Sequence, residues 1–152
     1  MHDASIVPLM GGETSALETV IKKRPEYIIR YEDFQANDTH LVDYYKREVP
    51  YYLLGNDRNY DLPSVDVINT VCPCAGLSSL NTSASSDAAA NDWMLTSANY
   101  VLGTLKPKVF WGENAPRLAS KMGEPVVENL RTIGREFGYA FSLYKTKSII
   151  HG

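Results

Sequence analysis

The chain has 152 residues, 44% hydrophobic and 22% charged, which suits one globular domain, and no apolar run is long enough to span a membrane. Two cysteines one residue apart exclude a disulfide framework, and no secretory signal opens the chain, so a cytoplasmic or nuclear protein that is not secreted is predicted. The net charge of -3 does not favour nucleic-acid binding, although residues 105–152 hold eight of the 15 Lys and Arg and four of the 18 Asp and Glu. That basic end is either a solvated surface or an edge that faces phosphate groups.

Short apolar runs alternate with helix-like segments along the whole chain. The pattern predicts strands over residues 4–9, 27–31, 51–54, 65–71 and 138–144, and a further strand that begins at residue 108 and stops at residue 113. It predicts helices over residues 16–23, 36–48, 93–105 and 126–137, the third capped by Asp92. Strands that alternate with helices predict an α/β fold with a mostly parallel sheet and helices on both faces.

Polar residues or glycines follow each of the first three predicted strands. The amides of the turn at Gly11 and Gly12, with the helix start after it, can hold polar or anionic groups, although most glycine pairs mark a tight turn and nothing else. Glu32 is either an acceptor for ribose hydroxyls or a surface carboxylate. The residues from Gly55 to Asp57 by themselves indicate a simple turn.

The fourth predicted strand, residues 65–71, breaks abruptly where the two cysteines lie. Pro73 cannot donate to a sheet ladder, and Gly76 permits a turn that larger residues resist. Because ligands bind at the carboxyl ends of strands in open α/β sheets, a thiol here can act as a nucleophile. Cys74 and Cys72 are both candidates, and the alternative is a buried, inert pair.

The second half of the chain adds an acidic strand end. Residues 81–91 are small and polar, which predicts a mobile connection. Glu113 and Asn114 follow the strand that begins at residue 108, one strand along from the cysteines, and Glu113 is otherwise a solvated carboxylate. The histidines, His2, His40 and His151, show no ligand spacing, so no metal site is predicted.

Three motifs, in order, resemble those of the DNA cytosine-5 methyltransferases. The run from Pro73 to Ser78 is similar to the family's Pro-Pro-Cys-Gln-Gly-x-Ser catalytic loop, with Cys72 at the first proline and Ala75 at the glutamine. Gly11 and Gly12 match the last two glycines of Phe-x-Gly-x-Gly-Gly, and Leu9 stands at its first glycine. Glu113-Asn114-Ala115 resembles Glu-Asn-Val.

The resemblance implies a Rossmann-like, S-adenosyl-L-methionine-dependent methyltransferase fold over residues 1–152. It implies transfer of a methyl group to carbon 5 of a cytosine that is flipped out of duplex DNA, as in restriction-modification systems. Cys74 would be the nucleophile and Glu113 the acid, with Asn114 beside it. The remaining implied contacts are Leu9, Met10, Gly11, Gly12, Glu32, Asp57 and Pro73 to the cofactor, and Ser78 and Arg117 to the substrate.

In the family, a segment like Ile150-His151-Gly152 continues into Pro-Gln-x-Arg, a DNA-reading domain and a last helix that completes the cofactor pocket. The fold is therefore expected to be incomplete at its C-terminus, with target recognition supplied by a missing part or by a second polypeptide. Residues 1–152 alone are expected to bind the cofactor weakly and to methylate little. Two alternatives are a catalytically inactive relative that acts as a binding or regulatory module, and a methyltransferase that acts on RNA or a free nucleotide.

Overall fold

The computed structural model describes residues 1–9, 11–32, 39–45, 48–55 and 60–146. The chain divides into two units and passes between them three times. The first unit comprises residues 1–72 and 103–113, and the second comprises residues 73–102 and those from 114 onward. Met10, Asp57 and the closing Ile150-His151-Gly152 segment, to which the resemblance assigns roles, lie outside the described residues.

The first unit is an α/β structure built on a five-stranded, all-parallel sheet, which confirms the predicted fold class and its Rossmann-like arrangement. The strands are β1 (Asp3–Ile6), β2 (Ile28–Tyr31), β3 (Tyr51–Leu54), β4 (Val67–Thr70) and β5 (Val109–Gly112). Their spatial order is β3-β2-β1-β4-β5, so the direction of winding reverses between β1 and β4. This reversal is the topological switch point at which open α/β sheets bind their ligands.

The central strands are apolar and β-branched because a parallel sheet that is covered by helices is buried. Ile6, Ile28, Ile29 and Ile68 are fully buried. Ser5 is in register with Ile28 on one side and with Asn69 on the other, so these three side chains belong to the same face of the sheet.

Two helices cover that face, α1 (Gly12–Ile21) and α2 (Thr39–Tyr45). The Thr14 hydroxyl of α1 lies 2.8 Å from the Ser5 hydroxyl of β1. On the neighbouring strand, Ile28 packs in one apolar cluster with Leu41 and Tyr45 of α2. The Tyr45 hydroxyl donates to Glu18 Oε2 of α1 at 2.5 Å, which joins the two helices.

The outer edge of the sheet at β3 is partly covered by an aromatic residue. Tyr60 packs against Tyr52, with ring centroids 5.2 Å apart, and its hydroxyl donates to the Leu53 carbonyl at 2.7 Å. One acceptor of the edge strand is thereby satisfied within the chain, which is one of the ways in which proteins blunt exposed sheet edges.

The second unit is helical in its described part. Its long elements are α3 (Asp92–Tyr100) and α4 (Glu124–Glu136), which pack together through an apolar surface. Val126, Val127 and Ile133 of α4 and Met94 and Ala98 of α3 are buried. Short 3₁₀ turns lie at Ala89–Asn91 and Pro116–Ala119. Among the helices of the described ranges, none has the length and hydropathy of a membrane span.

Three details of the predicted elements are wrong. Residues 138–144 form no strand: Gly138, at φ 82°, ends α4, and the Tyr139 N–H bonds back to the Gly134 carbonyl at 2.7 Å, so the chain turns away from extended pairing. Asp92 is the first helical residue and caps nothing with its side chain. The predicted helix over 93–105 ends as an α-helix at Tyr100, and Val101–Leu105 widens into a π-helical turn.

Candidate functional site

The turn between β1 and α1 lies beside the switch point and has an unusual backbone. Val7 and Leu9 adopt left-handed φ angles of 50° and 47°, and Gly11 has φ 77°. Left-handed conformations are costly for β-branched and branched aliphatic residues, and they gather at functional turns. A Cβ on Gly11 would lie 2.6 Å from Leu41 Cδ1, so a side chain there would displace the end of Leu41 and would also be strained by the left-handed φ.

Helix α1 begins at this turn with open space around its first residue. Gly12 is exposed, and a Cβ built on it meets no atom within 4 Å. No side chain caps the helix, although Glu13 lies in its first turn. The N–H groups of Gly12 and Glu13 and the adjacent space are therefore available to a polar group of a ligand.

A buried polar network fixes the start of α1 to the sheet. Ser5, Thr14 and Asn69 are each fully buried. With the Asn69 amide nitrogen toward Ser5, as its partners favour, it donates to the Ser5 hydroxyl and to the Ala4 carbonyl at 3.1 Å, and its oxygen accepts from Thr14 N–H at 3.3 Å. Buried polar groups are stable only when they are paired, so these three side chains bond to one another. Their network joins β1, β4 and α1 at the switch point.

Glu113 follows β5 at the same edge of the sheet. Its N–H donates to the Thr70 carbonyl of β4 at 3.4 Å, which seats the residue beside the end of that strand. Although Glu113 as a residue is exposed, partial desolvation of its carboxyl group raises its pKa, and the negative charge of Glu13 raises it further. The shift makes the protonated form of this carboxyl more favourable than in an ordinary glutamic acid, which is the direction that a proton donor needs.

Glu32 follows β2 at this edge, and its N–H donates to the Leu54 carbonyl at 2.9 Å. Its side chain is exposed and lies over Gly55, where a Cβ would be 2.9 Å from Glu32 Oε2. The first unit thus has Gly11, Gly12, Glu32 and Glu113 at one sheet edge, as the sequence predicts.

The two cysteines differ sharply in exposure. Cys72, two residues beyond β4, is buried, and its sulfur lies 3.1 Å from Thr70 Oγ1. Cys74 is exposed and belongs to the second unit. Its carbonyl accepts from Leu77 N–H at 3.0 Å, which closes the turn that begins at the cysteine. Because a nucleophile must be reached by its substrate, exposure favours Cys74 over Cys72.

The second unit brings together the two predicted substrate contacts. Arg117 Nη1 donates to the Ser78 carbonyl at 3.2 Å, and the Ser78 hydroxyl accepts from Leu80 N–H at 3.3 Å. Pro73, half-buried, opens this loop ahead of Cys74. Asn114 turns its side-chain oxygen to the following backbone, accepting from Ala115 N–H at 2.8 Å.

Sequence reasoning missed Asn69, Ser5 and Thr14, which anchor the turn, and Glu13, which acts on the Glu113 carboxyl. A signal for Asn69 was present, since an amide inside an apolar strand must find a buried partner. Within the described part of the chain, no group of three or more His, Cys, Asp or Glu residues is arranged to hold a metal ion.

The acidic side chains at the sheet edge of the first unit fit a cationic nucleoside better than a dinucleotide. Glu13, Glu32 and Glu113 are carboxylic acids, which attract a sulfonium and accept hydrogen bonds from ribose hydroxyls, whereas they repel a pyrophosphate. No protein-family model and no curated protein sequence matches this chain.

Proposed function

We propose that this chain is the cofactor-binding and catalytic part of a DNA cytosine-5 methyltransferase that uses S-adenosyl-L-methionine. One observation carries the proposal: in the strand order β3-β2-β1-β4-β5, the Pro73-Cys74 loop follows β4 and Glu113-Asn114 follows the adjacent β5. Along the chain, the candidate nucleophile thus comes four residues after β4, and the candidate acid comes directly after the neighbouring strand β5.

The cofactor would be held at the sheet edge of the first unit. The open space at Gly12 suits the methionine part, whose carboxylate would face the uncapped amides of α1, and Glu32 suits the ribose hydroxyls. Leu9 and Gly11 would shape the turn around it. When bound, the cofactor supplies an electrophilic methyl group on a sulfonium.

Carbon 5 of cytosine is a weak nucleophile until a group adds at carbon 6. The Cys74 thiolate forms a bond to carbon 6, and the electron pair moves through the ring toward N3, where the Glu113 carboxyl donates its proton. With the cofactor bound, carbon 5 would take the methyl group as the methyl–sulfur bond breaks and leaves a neutral thioether. N3 would return its proton to the Glu113 carboxylate, and loss of the carbon 5 proton to a base would re-form the carbon 5–carbon 6 double bond and expel the Cys74 thiolate. The raised pKa of Glu113 supports its role as the proton donor.

Arg117 supports a nucleic-acid partner, because its guanidinium holds the loop that follows Cys74 through the Ser78 carbonyl. A guanidinium with donors to spare can also contact a phosphate oxygen next to the flipped base. The half-buried position of Arg117 orders it beforehand, which lowers the entropy cost of that contact.

The test is covalent capture by duplex DNA that carries 5-fluorocytosine, in the presence of S-adenosyl-L-methionine. Fluorine at carbon 5 cannot leave as a proton, so the adduct with Cys74 persists and migrates as a protein–DNA conjugate. We expect the conjugate with the unchanged chain and with Cys72→Ser, and none with Cys74→Ser. Glu113→Gln should slow capture by about 100-fold or more, the usual contribution of a positioned acid.

An unchanged yield with Cys74→Ser would contradict the proposed nucleophile. Capture by an RNA duplex or by free 5-fluorocytidine, with none by DNA, would show that the substrate is RNA or a free nucleoside and not DNA. A second candidate, a non-catalytic binding module with this fold, is favoured by Leu9, whose side chain occupies a left-handed position where the family has glycine. That candidate predicts binding of S-adenosyl-L-methionine by calorimetry without any conjugate.

A further inference from the structure

Cys72 has no part in the proposed reaction, yet it is one of only two cysteines and lies one residue from the proposed nucleophile. Its burial and its 3.1 Å contact to the Thr70 hydroxyl keep it from reagents in solution. Cys74, by contrast, is exposed. The pair therefore combines one thiol that meets an oxidant with a second thiol that is protected and close along the chain.

The covalent chain keeps the Cα atoms of the two cysteines close to each other. Cα atoms of consecutive residues are about 3.8 Å apart, so those of residues 72 and 74 are separated by less than about 7.6 Å. Disulfides span about 4.4–6.8 Å between Cα atoms, so a modest bend of the backbone at Pro73 suffices. Proline fixes φ near about -65°, which limits the conformations that the intervening residue must lose.

We propose that Cys72 and Cys74 form a reversible redox site, in which oxidation of Cys74 is resolved by Cys72 to an intrachain disulfide. With a peroxide as oxidant, the Cys74 thiolate attacks one oxygen, the O–O bond breaks, and a sulfenic acid and water form. The Cys72 sulfur then attacks the Cys74 sulfur and displaces the hydroxyl as water. Overall, two thiols are oxidised to one disulfide, and one peroxide is reduced to two waters or, for an alkyl peroxide, to water and an alcohol.

The small ring that such a disulfide closes makes it labile. Strained or exposed disulfides are reduced more readily than structural ones, and a dithiol would return both cysteines to the thiol form. The Val71 N–H still donates to the Val7 carbonyl at 3.2 Å, so the bend must fall at Cys72 and Pro73, which lie beyond the last ladder residue of β4. If Cys74 is the nucleophile, a consequence that rests on the proposed function, oxidation would switch methyl transfer off reversibly.

The experiment treats the reduced full chain with hydrogen peroxide near equimolar and follows intact mass and free thiols. We expect the mass to fall by two hydrogens, both thiols to be lost together, and dithiothreitol to restore both. Peptide mapping should place the bond between residues 72 and 74. The matched variant Cys72→Ser should instead accumulate a Cys74 sulfenic acid that dimedone traps, and Cys74→Ser should react at least tenfold more slowly.

A Cys74 sulfinic acid beside a free Cys72 thiol, or a disulfide between two chains, would overturn the proposal. An equal rate of Cys74 alkylation in the unchanged chain and in Cys72→Ser checks that the loop keeps its structure in the variant. These readouts do not depend on methyl transfer. Absence of a 5-fluorocytosine conjugate from the reduced chain would therefore contradict the proposed function while the thiol chemistry stands or falls separately.

Discussion

Asp3 is a fully buried carboxyl group at the amino end of β1, with no hydrogen-bond partner for either oxygen among the described residues. Desolvation raises its pKa, and the charges of Glu26 and Glu18 raise it further. Burial therefore favours the neutral form of Asp3 more in the folded chain than in the unfolded chain. The ionised form, which prevails at higher pH, opposes folding.

Asp3→Asn should stabilise the fold at neutral pH, because the amide keeps a polar group at this buried position but carries no charge that burial penalises. Because the folded pKa lies above the unfolded one, the unchanged chain loses stability as pH rises from about 4 through the folded pKa. The gain of Asp3→Asn should accordingly vanish below about pH 4. Urea unfolding at several pH values measures it.

Asp66 provides a control, because its pKa is shifted in the opposite direction to that of Asp3. Lys108, at 2.7 Å, lowers the pKa of its carboxyl to about 2. Stability from this pair is present above about pH 4 and disappears as pH falls through about 2. Asp66→Asn should therefore give no gain at neutral pH, and an equal gain from both variants would contradict the explanation for Asp3.

Gly11 and Gly12 are adjacent, yet they should respond differently to alanine. Gly11→Ala places a Cβ 2.6 Å from Leu41 Cδ1 at a left-handed φ, so unfolding should become easier by about 1–2 kcal/mol. Gly12→Ala meets no atom, and the fold should keep or slightly gain stability. Under the proposed function, Gly12→Ala should still weaken binding of S-adenosyl-L-methionine, measured by calorimetry.

A loss of stability in Gly12→Ala that equals the loss in Gly11→Ala would contradict this difference. Retained stability with unchanged cofactor affinity would instead remove the open space at Gly12 from the proposed site. The two variants together thus separate the structural use of a glycine from its use at a ligand.

At the scale of elements, β5 depends on a glycine at its end. A Cβ on Gly112 would lie 2.7 Å from Thr70 Cγ2 and 3.0 Å from the Thr70 carbonyl of the paired β4. Gly112→Ala should therefore cost about 1–3 kcal/mol, as overpacked sites do. Adding Thr70→Ser, which removes only the methyl group and keeps the hydroxyl, should restore part of the loss.

Thermal unfolding of the single and double variants checks this. No recovery in the double variant would mean that the carbonyl contact alone sets the cost. A Gly112→Ala chain as stable as the original would show that β4 and β5 separate easily at this end, against the close approach of Gly112 and Thr70.

The sequence predicts all five strands of the sheet and the existence of four helices, because hydrophobic period and turn residues are local signals. It fails at residues 138–144, whose apolar alternation resembles a strand. A strand also needs a neighbour to receive its backbone bonds, and Tyr139 instead bonds back to Gly134. The end of α3 at Tyr100 is likewise set by the chain beyond it, where Lys106 takes a left-handed φ of 51° before Pro107.

Part of the candidate site can likewise be predicted from local signals in the sequence. Gly11, Glu32 and Glu113 each follow a predicted strand, so strand topology alone brings them to one edge. The difference between a buried Cys72 and an exposed Cys74 depends on packing and could not be read from their spacing. The hydroxyl–amide network joins Asn69 to Ser5 and Thr14, which lie 64 and 55 positions earlier in the chain, and no local pattern reports such pairs.

At the scale of the whole molecule, the candidate site residues are divided between the two units. The glycine turn, Glu32 and Glu113 belong to the first unit, whereas Cys74, Ser78 and Arg117 belong to the second. The chain passes from the first to the second unit between Cys72 and Pro73 and again after Glu113. Two of the three segments that join the units therefore carry the proposed nucleophile and acid.

The Tyr60 hydroxyl that rests on Leu53 also bears on how copies of the chain behave toward one another. Removing it with Tyr60→Phe keeps the ring over Tyr52 but frees a carbonyl on the outermost strand, next to a Leu53 side chain that is 41% exposed. Sedimentation at rising concentration should then reveal larger species for Tyr60→Phe than for the original chain, and identical profiles would contradict this. If larger species do form, the Tyr60 hydroxyl is a group that opposes edge-to-edge association of β3 strands from different copies of the chain.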